Sequence, residues 1–299
     1  MVSTRPNLVL LVADDLGWAD VSYQGSKFHT PHIDRLALSE GVRLNRYYVQ
    51  QVCSPTRSAL MTARYPFHTG MQHWTTLTPV SVAAIPKHVP TLAEVLKAEG
   101  YRTHAIGKWH LGFSTWSDTP TGRGFDSHAG YLNGAIDYYS HRFNVHTLFP
   151  GNQNMTTGGL DFWRNRSAAF DFDGRHSSEF YMGEAARVLS AHAATATAGT
   201  AGTAPFFLYF AMQLVHEPLQ DPPGAGAAEA CADVPSVPSP IGAYASAARG
   251  HLCAMASRLD DDVSVLVALL RARRLWNDTL LWFSTDNGGM TTGPHADGM

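Results

Sequence analysis

No apolar run in this 299-residue chain approaches the length needed to cross a bilayer. The stretch Leu8 to Ala13 is strand-sized, so no transmembrane segment is expected. Positive charge is equally scarce. Lysine and arginine total 22 against 25 acidic residues, a net charge of -3, which leaves nucleic-acid binding without electrostatic support. The three cysteines, Cys53, Cys231 and Cys253, match neither a zinc-ligand spacing nor a dense disulfide framework. With Cys53 set aside, Cys231 and Cys253 are either a bridge around a Pro/Ala-rich loop or two free thiols. A secretory leader is not legible, because Arg5 and Pro6 precede too short an apolar run, which ends in two acids. No internal repeat suggests a solenoid.

Histidine, by contrast, is plentiful: 15 residues enlarge the supply of ligands and acid–base groups near neutral pH. Hydrophobic residues make up 44%, enough for one large core or two modest ones. Sequons at Asn154, Asn165 and Asn277 matter only if the chain enters a secretory pathway.

The order of elements is that of an α/β sheet with helices on its faces. Asn7 to Ala13 reads as a buried strand that carries Asp14 and Asp15 at its carboxyl end. Thr91 and Glu94 form a capping box for a short helix ending at Gly100. A strand from Tyr101 to Ile106 then delivers Gly107-Lys108-Trp109-His110 as a loop. Ser178 to Ala193 is expected to be helical, and residues 194–204 a flexible connector. Pro205 to Ala211 is an aromatic strand leading to His216, and residues 218–240 read as a surface excursion. A helix around Ala254 to Leu275 and a strand from Thr279 to Ser284 complete the order, with Asp286 and Asn287 beyond the last strand.

Asp14, Asp15, Asp286 and Asn287 offer oxygen ligands that suit Ca²⁺ or Mg²⁺ better than zinc. Adjacent aspartates converge only if the chain turns just after the strand, which Leu16-Gly17 permits. The alternative is a helix cap at Asp14-Asp15 and a plain turn at Asp286-Asn287-Gly288. Arg57 follows Cys53 by four residues and reaches the same pocket if the segment is helical, its guanidinium able to fix an oxyanion. Lys108 and His110 face one side if extended, with Trp109 packing between them. His216 is a candidate to orient an ester or protonate its leaving group.

Five motifs stand in order: Asp14-Asp15-Leu16-Gly17, Cys53-x-Pro55-x-Arg57, Gly107-Lys108-Trp109-His110-x-Gly112, Val215-His216-x-Pro218-Leu219 and Asp286-Asn287-Gly288-Gly289. The set resembles the type I, formylglycine-dependent sulfatases. Gly124-Phe125-Asp126, Gly130-Tyr131-Leu132 and Asp137-Tyr138-Tyr139-Ser140-His141 are further similar to the arylsulfatase B-like branch. The resemblance implies an alkaline phosphatase-like α/β fold, a large, mainly parallel mixed sheet flanked by helices. It also implies that a formylglycine-generating enzyme oxidises Cys53, whose hydrated aldehyde attacks sulfur and then releases sulfate by elimination. Ca²⁺ would be held by Asp14, Asp15, Asp286, Asn287 and the modified Cys53. Arg57 and Lys108 would stabilise the hydrate and the sulfate oxygens, His110 would act as base, and His216 would contact sulfate or its leaving oxygen. The substrate would be a sulfated carbohydrate or an aryl sulfate, and the setting secretory, lysosomal or extracellular.

Related enzymes carry a further lysine shortly after Asp-Asn-Gly-Gly, whereas none of the ten residues after Gly289 is lysine. The expectation is therefore one catalytic domain over residues 1–299, incomplete at its carboxyl end and lacking the family's smaller C-terminal domain, with poor activity in this form. A phosphoester or phosphonate hydrolase of the alkaline phosphatase superfamily, and a non-catalytic binder of sulfated glycans, are the competing readings.

Overall fold

In the computed structural model, residues 5–73, 77, 81–143, 158–197, 204–224, 231, 234 and 243–289 are described. Among the described residues seven strands make one sheet: β1 (Asn7–Ala13), β2 (Arg102–Lys108), β3 (Ser127–Tyr131), β4 (Trp163–Arg164), β5 (Ser167–Ala168), β6 (Phe206–Ala211) and β7 (Thr279–Thr285). Their spatial order is β5-β4-β3-β2-β6-β1-β7. The five strands β3, β2, β6, β1 and β7 pair in parallel, and the short β4–β5 hairpin adds antiparallel pairs at one edge. The sheet is thus mixed and mainly parallel, as expected.

Alternation along each strand divides the interior into two cores. Val9, Leu11 and Ala13 of β1, with Phe206, Leu208 and Phe210 of β6, pack against α4 (Ser177–Thr197) and α5 (Ala243–Ala272). Val12, Phe207, Tyr209 and Ala211 point the other way, toward Met61 of α2 (Cys53–Thr62) and Ala93 of α3 (Leu92–Ala98). A short helix, α1 (Pro31–Arg35), receives its capping carboxylate from far away: Asp260 of α5 accepts the N–H groups of His32 and Ile33 at 3.1 and 2.7 Å. The capping box of α3 is present, with Glu94 N–H donating to Thr91 Oγ1 at 3.2 Å and Thr91 N–H to Glu94 Oε2 at 2.7 Å.

Several boundaries differ from expectation. β2 runs on through Gly107 and Lys108, so the lysine is the last strand residue rather than part of a loop. The reason is a row of small residues: Gly107 lies between Gly130 on β3 and Ala211 on β6. A Cβ on Gly107 would sit 1.7 Å from the Ala211 carbonyl oxygen, and its φ of +94° is open to glycine alone at low cost. α4 takes in residues 194–197 of the Ala/Thr run, in keeping with alanine's high helix propensity. For the same reason α5 starts at Ala243, within an alanine-rich stretch, rather than near Ala254, and it stops at Ala272. Of the excursion at 218–240, residues 218–224, 231 and 234 are described, and Cys231 is disulfide-bonded to Cys253 of α5. Asn165 and Asn277 are exposed; Asn154 lies outside the described residues. Among the described residues no helix is long and apolar enough to cross a membrane.

The two cores also enclose histidines. His104, His128, His141 and His176 are each lowered to about 4, chiefly because burial disfavours the imidazolium. His141 stacks on Phe162 at 4.0 Å, and His176 on Tyr138 at 5.0 Å. The unfolded chain binds these protons near the ordinary histidine value, about 6.5. Their contribution to stability is therefore complete above about 6.5 and lost as pH falls toward 4. At most roughly 3 kcal/mol is at stake per site, less at the partly solvated His104. Asp262, raised to about 7 by burial, works in the opposite sense, losing its contribution as pH rises through that value. Asp20, Asp161, Asp260 and Asp286 are raised as well, and His110 and His192 lowered. The large shifts belong mostly to histidines, so thermal unfolding should shift to lower temperature between pH 6.5 and 4.5. A melting temperature flat across that window would contradict the argument.

Candidate active site

The carboxyl ends of β1, β2, β6 and β7 converge, which is where open α/β sheets place their ligands. Asp14 follows β1 directly, and Asp15 adopts φ +60°, so the chain turns and both carboxylates face one centre. Neither caps a helix; the 3-10 turn that follows, Trp18–Asp20, has Gly17 at its N-cap. The end of β7 supplies the other pair. Asp286 Oδ1 accepts the Asp15 N–H at 3.1 Å, and the Asn287 amide donates to Asp15 Oδ1. Plain turn and cap readings of these acids are thereby set aside.

Cys53 is the first residue of α2, where the positive end of the helix meets the site. Pro55 is tolerated in the first turn because its missing N–H would have had no intrahelical partner. One turn on, Arg57 falls on the same face and is completely buried. Its Nε and Nη2 donate to Asp286 Oδ2 at 3.0 and 2.7 Å, and Nη2 lies 3.1 Å from Asp14 Oδ1. Lys108 Nζ, also buried, donates to both Asp14 oxygens at 2.9 and 2.8 Å and to Cys53 Sγ at 3.1 Å. The sulfur stands 3.6 Å from Asp14 Oδ1 and 4.0 Å from Asp15 Oδ1. His216 closes the ring, with Nε2 at 3.6 Å from Asp15 Oδ2.

Charge in this cluster is unequally shared. Burial pushes the Asp14 carboxyl up, but Lys108, His216 and Arg57 together pull it below the ordinary range. Asp286 is raised, by burial and by the Asp14 charge, in spite of Arg57. Burial lifts the Cys53 thiol well above its usual value; Lys108 opposes this, while Asp286, Asp14 and Asp15 reinforce it. With no cation bound, burial and the neighbouring carboxylates favour the protonated thiol of an unaltered Cys53, a poor nucleophile.

His110 enters differently. Its φ is +51°, its N–H donates to the Leu132 carbonyl at 3.2 Å, and its carbonyl accepts Ser54 Oγ at 3.0 Å. Nε2 lies 3.2 Å from the Leu77 carbonyl, an acceptor, so in the neutral ring Nε2 carries the proton and Nδ1 keeps its lone pair. Nδ1 is buried and has no partner among the described residues. Burial, then Lys108 and Arg57, hold the imidazole far below its ordinary value, which keeps it neutral and makes it a weak base. Gly134 packs against the ring; an added Cβ would lie 2.8 Å from Cε1. Trp109 is a packing residue, its indole N–H bonded to the Gly112 and Asp118 carbonyls.

The structure therefore gathers Asp14, Asp15, Cys53, Arg57, Lys108, His216, Asp286 and Asn287 at one centre, with His110 attached through Ser54 and its own backbone. Two features escaped the sequence. His216 joins Asp14, Asp15 and Cys53 in a group whose ligand atoms all lie within 4.8 Å of one another. Tyr209, which read as an ordinary strand aromatic, brings its hydroxyl within 3.3 Å of Arg57 Nη1. The last ten residues, with no lysine among them, lie outside the described residues.

A divalent cation fits this donor set. Three carboxylates face two fixed cations, Arg57 and Lys108, so 3 − 2 leaves one uncompensated negative charge. Asn287 Oδ1 is buried with no donor among the described residues, an oxygen ready for a hard cation once the amide turns.

Comparison with known proteins supplies the deciding observation: the sulfatase family model matches residues 6–298. The chain belongs to the sulfatase family. Arylsulfatase J of Mus musculus is 37% identical over 298 residues, covering 97% of this sulfatase and 44% of the relative. N-acetylgalactosamine-6-sulfatase of Sus scrofa is 31% identical over 293 residues, 95% of this chain and 50% of the relative. Among solved structures, Ps i-CgsB in complex with k-i-k-neocarrahexaose superposes with a TM-score of 0.76 at 30% identity, covering 96% of this chain and 59% of that one. This sulfatase thus spans about half the length of the curated relatives it matches.

Proposed function

We propose that this protein hydrolyses sulfate esters through a formylglycine formed from Cys53. The observation that carries the reading is the placement of the sulfur: it lies 3.1 Å from Lys108 Nζ and 3.6 Å from Asp14, at the start of α2, among three carboxylates. A thiol kept protonated there is unsuited to attack, whereas an oxidised residue presents oxygen to the same centre. Ca²⁺, held by Asp14, Asp15, Asp286 and Asn287 together with residue 53, would supply Lewis-acid polarisation of the sulfate oxygens. Lys108 holds positive charge beside the attacking atom, and Arg57 keeps Asp14 and Asp286 in place. His110 would take a proton at Nδ1, which has no partner among the described residues, and His216, beside Asp15, would contact the sulfate or its leaving oxygen.

The arylsulfatase B-like branch is our reading of the Gly124-Phe125-Asp126 and Asp137-Tyr138-Tyr139 motifs. We take the substrate to be a sulfated sugar unit of a longer glycan, with small aryl sulfates as surrogates. The N-acetylgalactosamine-6-sulfatase relative and the oligosaccharide-bound Ps i-CgsB support that choice. Maturation by a formylglycine-generating enzyme and residence in a secretory, lysosomal or extracellular compartment follow as proposals. The Cys231–Cys253 bridge supports the second.

The test is the mass of the tryptic peptide Tyr47 to Arg57 from protein made in its native host, beside turnover of sulfate and phosphate monoesters by the same preparation. Formylglycine at residue 53 with preferential sulfate release is expected. Cysteine throughout, or preference for phosphate, would overturn the reading.

A further inference from the structure

The Asp137-Tyr138-Tyr139 motif contributes no side chain to the centre, yet it grips the segment that ends in His216. We propose that Tyr138 is a positioning residue for His216: its hydroxyl bridges two backbone carbonyls and fixes the turn that presents the imidazole to the reacting ester. The inference rests on the sulfatase reading above.

Tyr138 is fully buried, and its hydroxyl is shared between the carbonyls of Gln213 at 2.8 Å and His216 at 2.9 Å. The His216 N–H donates to the same Gln213 carbonyl at 3.0 Å, closing the turn. One side of that turn is held by β1 and its end: Met212 N–H donates to the Val12 carbonyl at 2.8 Å, Asp14 N–H to the Leu214 carbonyl at 2.9 Å, and Val215 N–H to the Asp14 carbonyl at 2.7 Å. Those bonds stop at Val215. Beyond it, the carbonyl of His216 depends on Tyr138. His216 Nδ1 also faces the Glu217 carbonyl at 2.8 Å, so a shift of this backbone carries the ring with it.

Tyr138 is itself anchored. Its N–H donates to Gln220 Oε1 at 2.8 Å, and Gln220 Nε2 donates to Asp137 Oδ2 at 2.8 Å. Gln213 Nε2 donates to the Ile136 carbonyl at 2.7 Å. The 136–138 turn and the 213–220 segment are therefore laced together on both sides of His216. Removing the hydroxyl takes from the His216 carbonyl its partner in this structure.

Tyr138→Phe keeps the ring and removes only this bridge. If His216 assists the leaving oxygen, the loss should depend on the leaving group. For a sulfated hexosamine, kcat is expected to fall about 10²-fold with KM little changed. For 4-nitrophenyl sulfate, whose phenolate departs unaided, the fall should stay within about threefold. His216→Ala should show the same split, and the double variant should be no worse than His216→Ala alone. Gln220→Ala, which loosens Tyr138 from its other side, should reproduce the split in weaker form and serves if Tyr138→Phe does not fold. Equal losses on both substrates would overturn the proposal. Failure of the parent to turn over 4-nitrophenyl sulfate would instead strike at the sulfatase reading. The geometry is then decided by a crystal structure of Tyr138→Phe: a displaced His216 backbone supports the bridge, and an unmoved ring 3.6 Å from Asp15 Oδ2 overturns it.

Discussion

Cys53→Ala in protein purified from its native host should abolish sulfate-ester turnover, lowering kcat/KM by at least about 10⁴-fold. The magnitude follows from what is removed. Lys108 and the positive end of α2 are aimed at the atom carried by residue 53, so without it binding survives and no attacking group remains. Stability should change by only about 1 kcal/mol, since Lys108 keeps both Asp14 oxygens and the sulfur is a weak acceptor. Cys53→Ser is the sharper comparison. It restores a hydroxyl but not the second oxygen of a hydrated aldehyde, so it should release no more than a single equivalent of alcohol from an activated aryl sulfate. Sustained turnover by Cys53→Ala, measured with freshly purified protein, would remove residue 53 from the chemistry.

Arg57→Ala should be the most damaging change to the fold, costing about 3–5 kcal/mol. The guanidinium is wholly buried and satisfies two carboxylates, Asp286 and Asp14, while also facing Tyr209 and the Lys108 carbonyl. Its removal strands buried negative charge that has only Lys108 left to offset it. In a chain of 299 residues the melting temperature should drop by roughly 5–8 °C. Arg57→Lys should recover only part of that, because an ammonium cannot make the paired Nε and Nη2 bonds to Asp286 Oδ2. Millimolar Ca²⁺ should narrow the deficit of Arg57→Ala by supplying replacement charge. A loss under about 1 kcal/mol by chemical denaturation would mean that the guanidinium is dispensable there.

Much of this was readable from residues alone, and for a physical reason. β1 and β6 are unbroken apolar runs because both faces of a parallel sheet are covered, and the polar residues that interrupt them mark the carboxyl ends where a site forms. Asp14-Asp15, Cys53 and His216 were recognised by that rule and by their motifs. The arginine was expected to hold an oxyanion; in the fold it pairs with Asp286 and Asp14, and the Asp286 partnership spans 229 residues, which local pattern cannot register. Tyr138 and Gln213 were missed because their work is done on backbone carbonyls, which leave no trace in side-chain chemistry. The start of α5 was misplaced because an alanine-rich stretch has no apolar period to follow, and the extent of β2 because Gly107 reads as a break when it is a close crossing of strands.

The burial of the first turn of α2 also dictates a schedule. Pro55, Thr56, Arg57 and Ser58 are closed off in the folded protein, with Cys53 only partly open above them. A modifying enzyme that reads Cys53-x-Pro55-x-Arg57 would need those side chains while they are still reachable. Lys108 is 55 residues and Asp286 more than 200 residues later in the chain, and both must be synthesised before they can close over the motif. On the proposed reading, oxidation of Cys53 would belong to the interval in which the amino-terminal third has emerged from the ribosome and β7 has not. A chain that completed folding first would have closed Pro55 and Arg57 to such an enzyme.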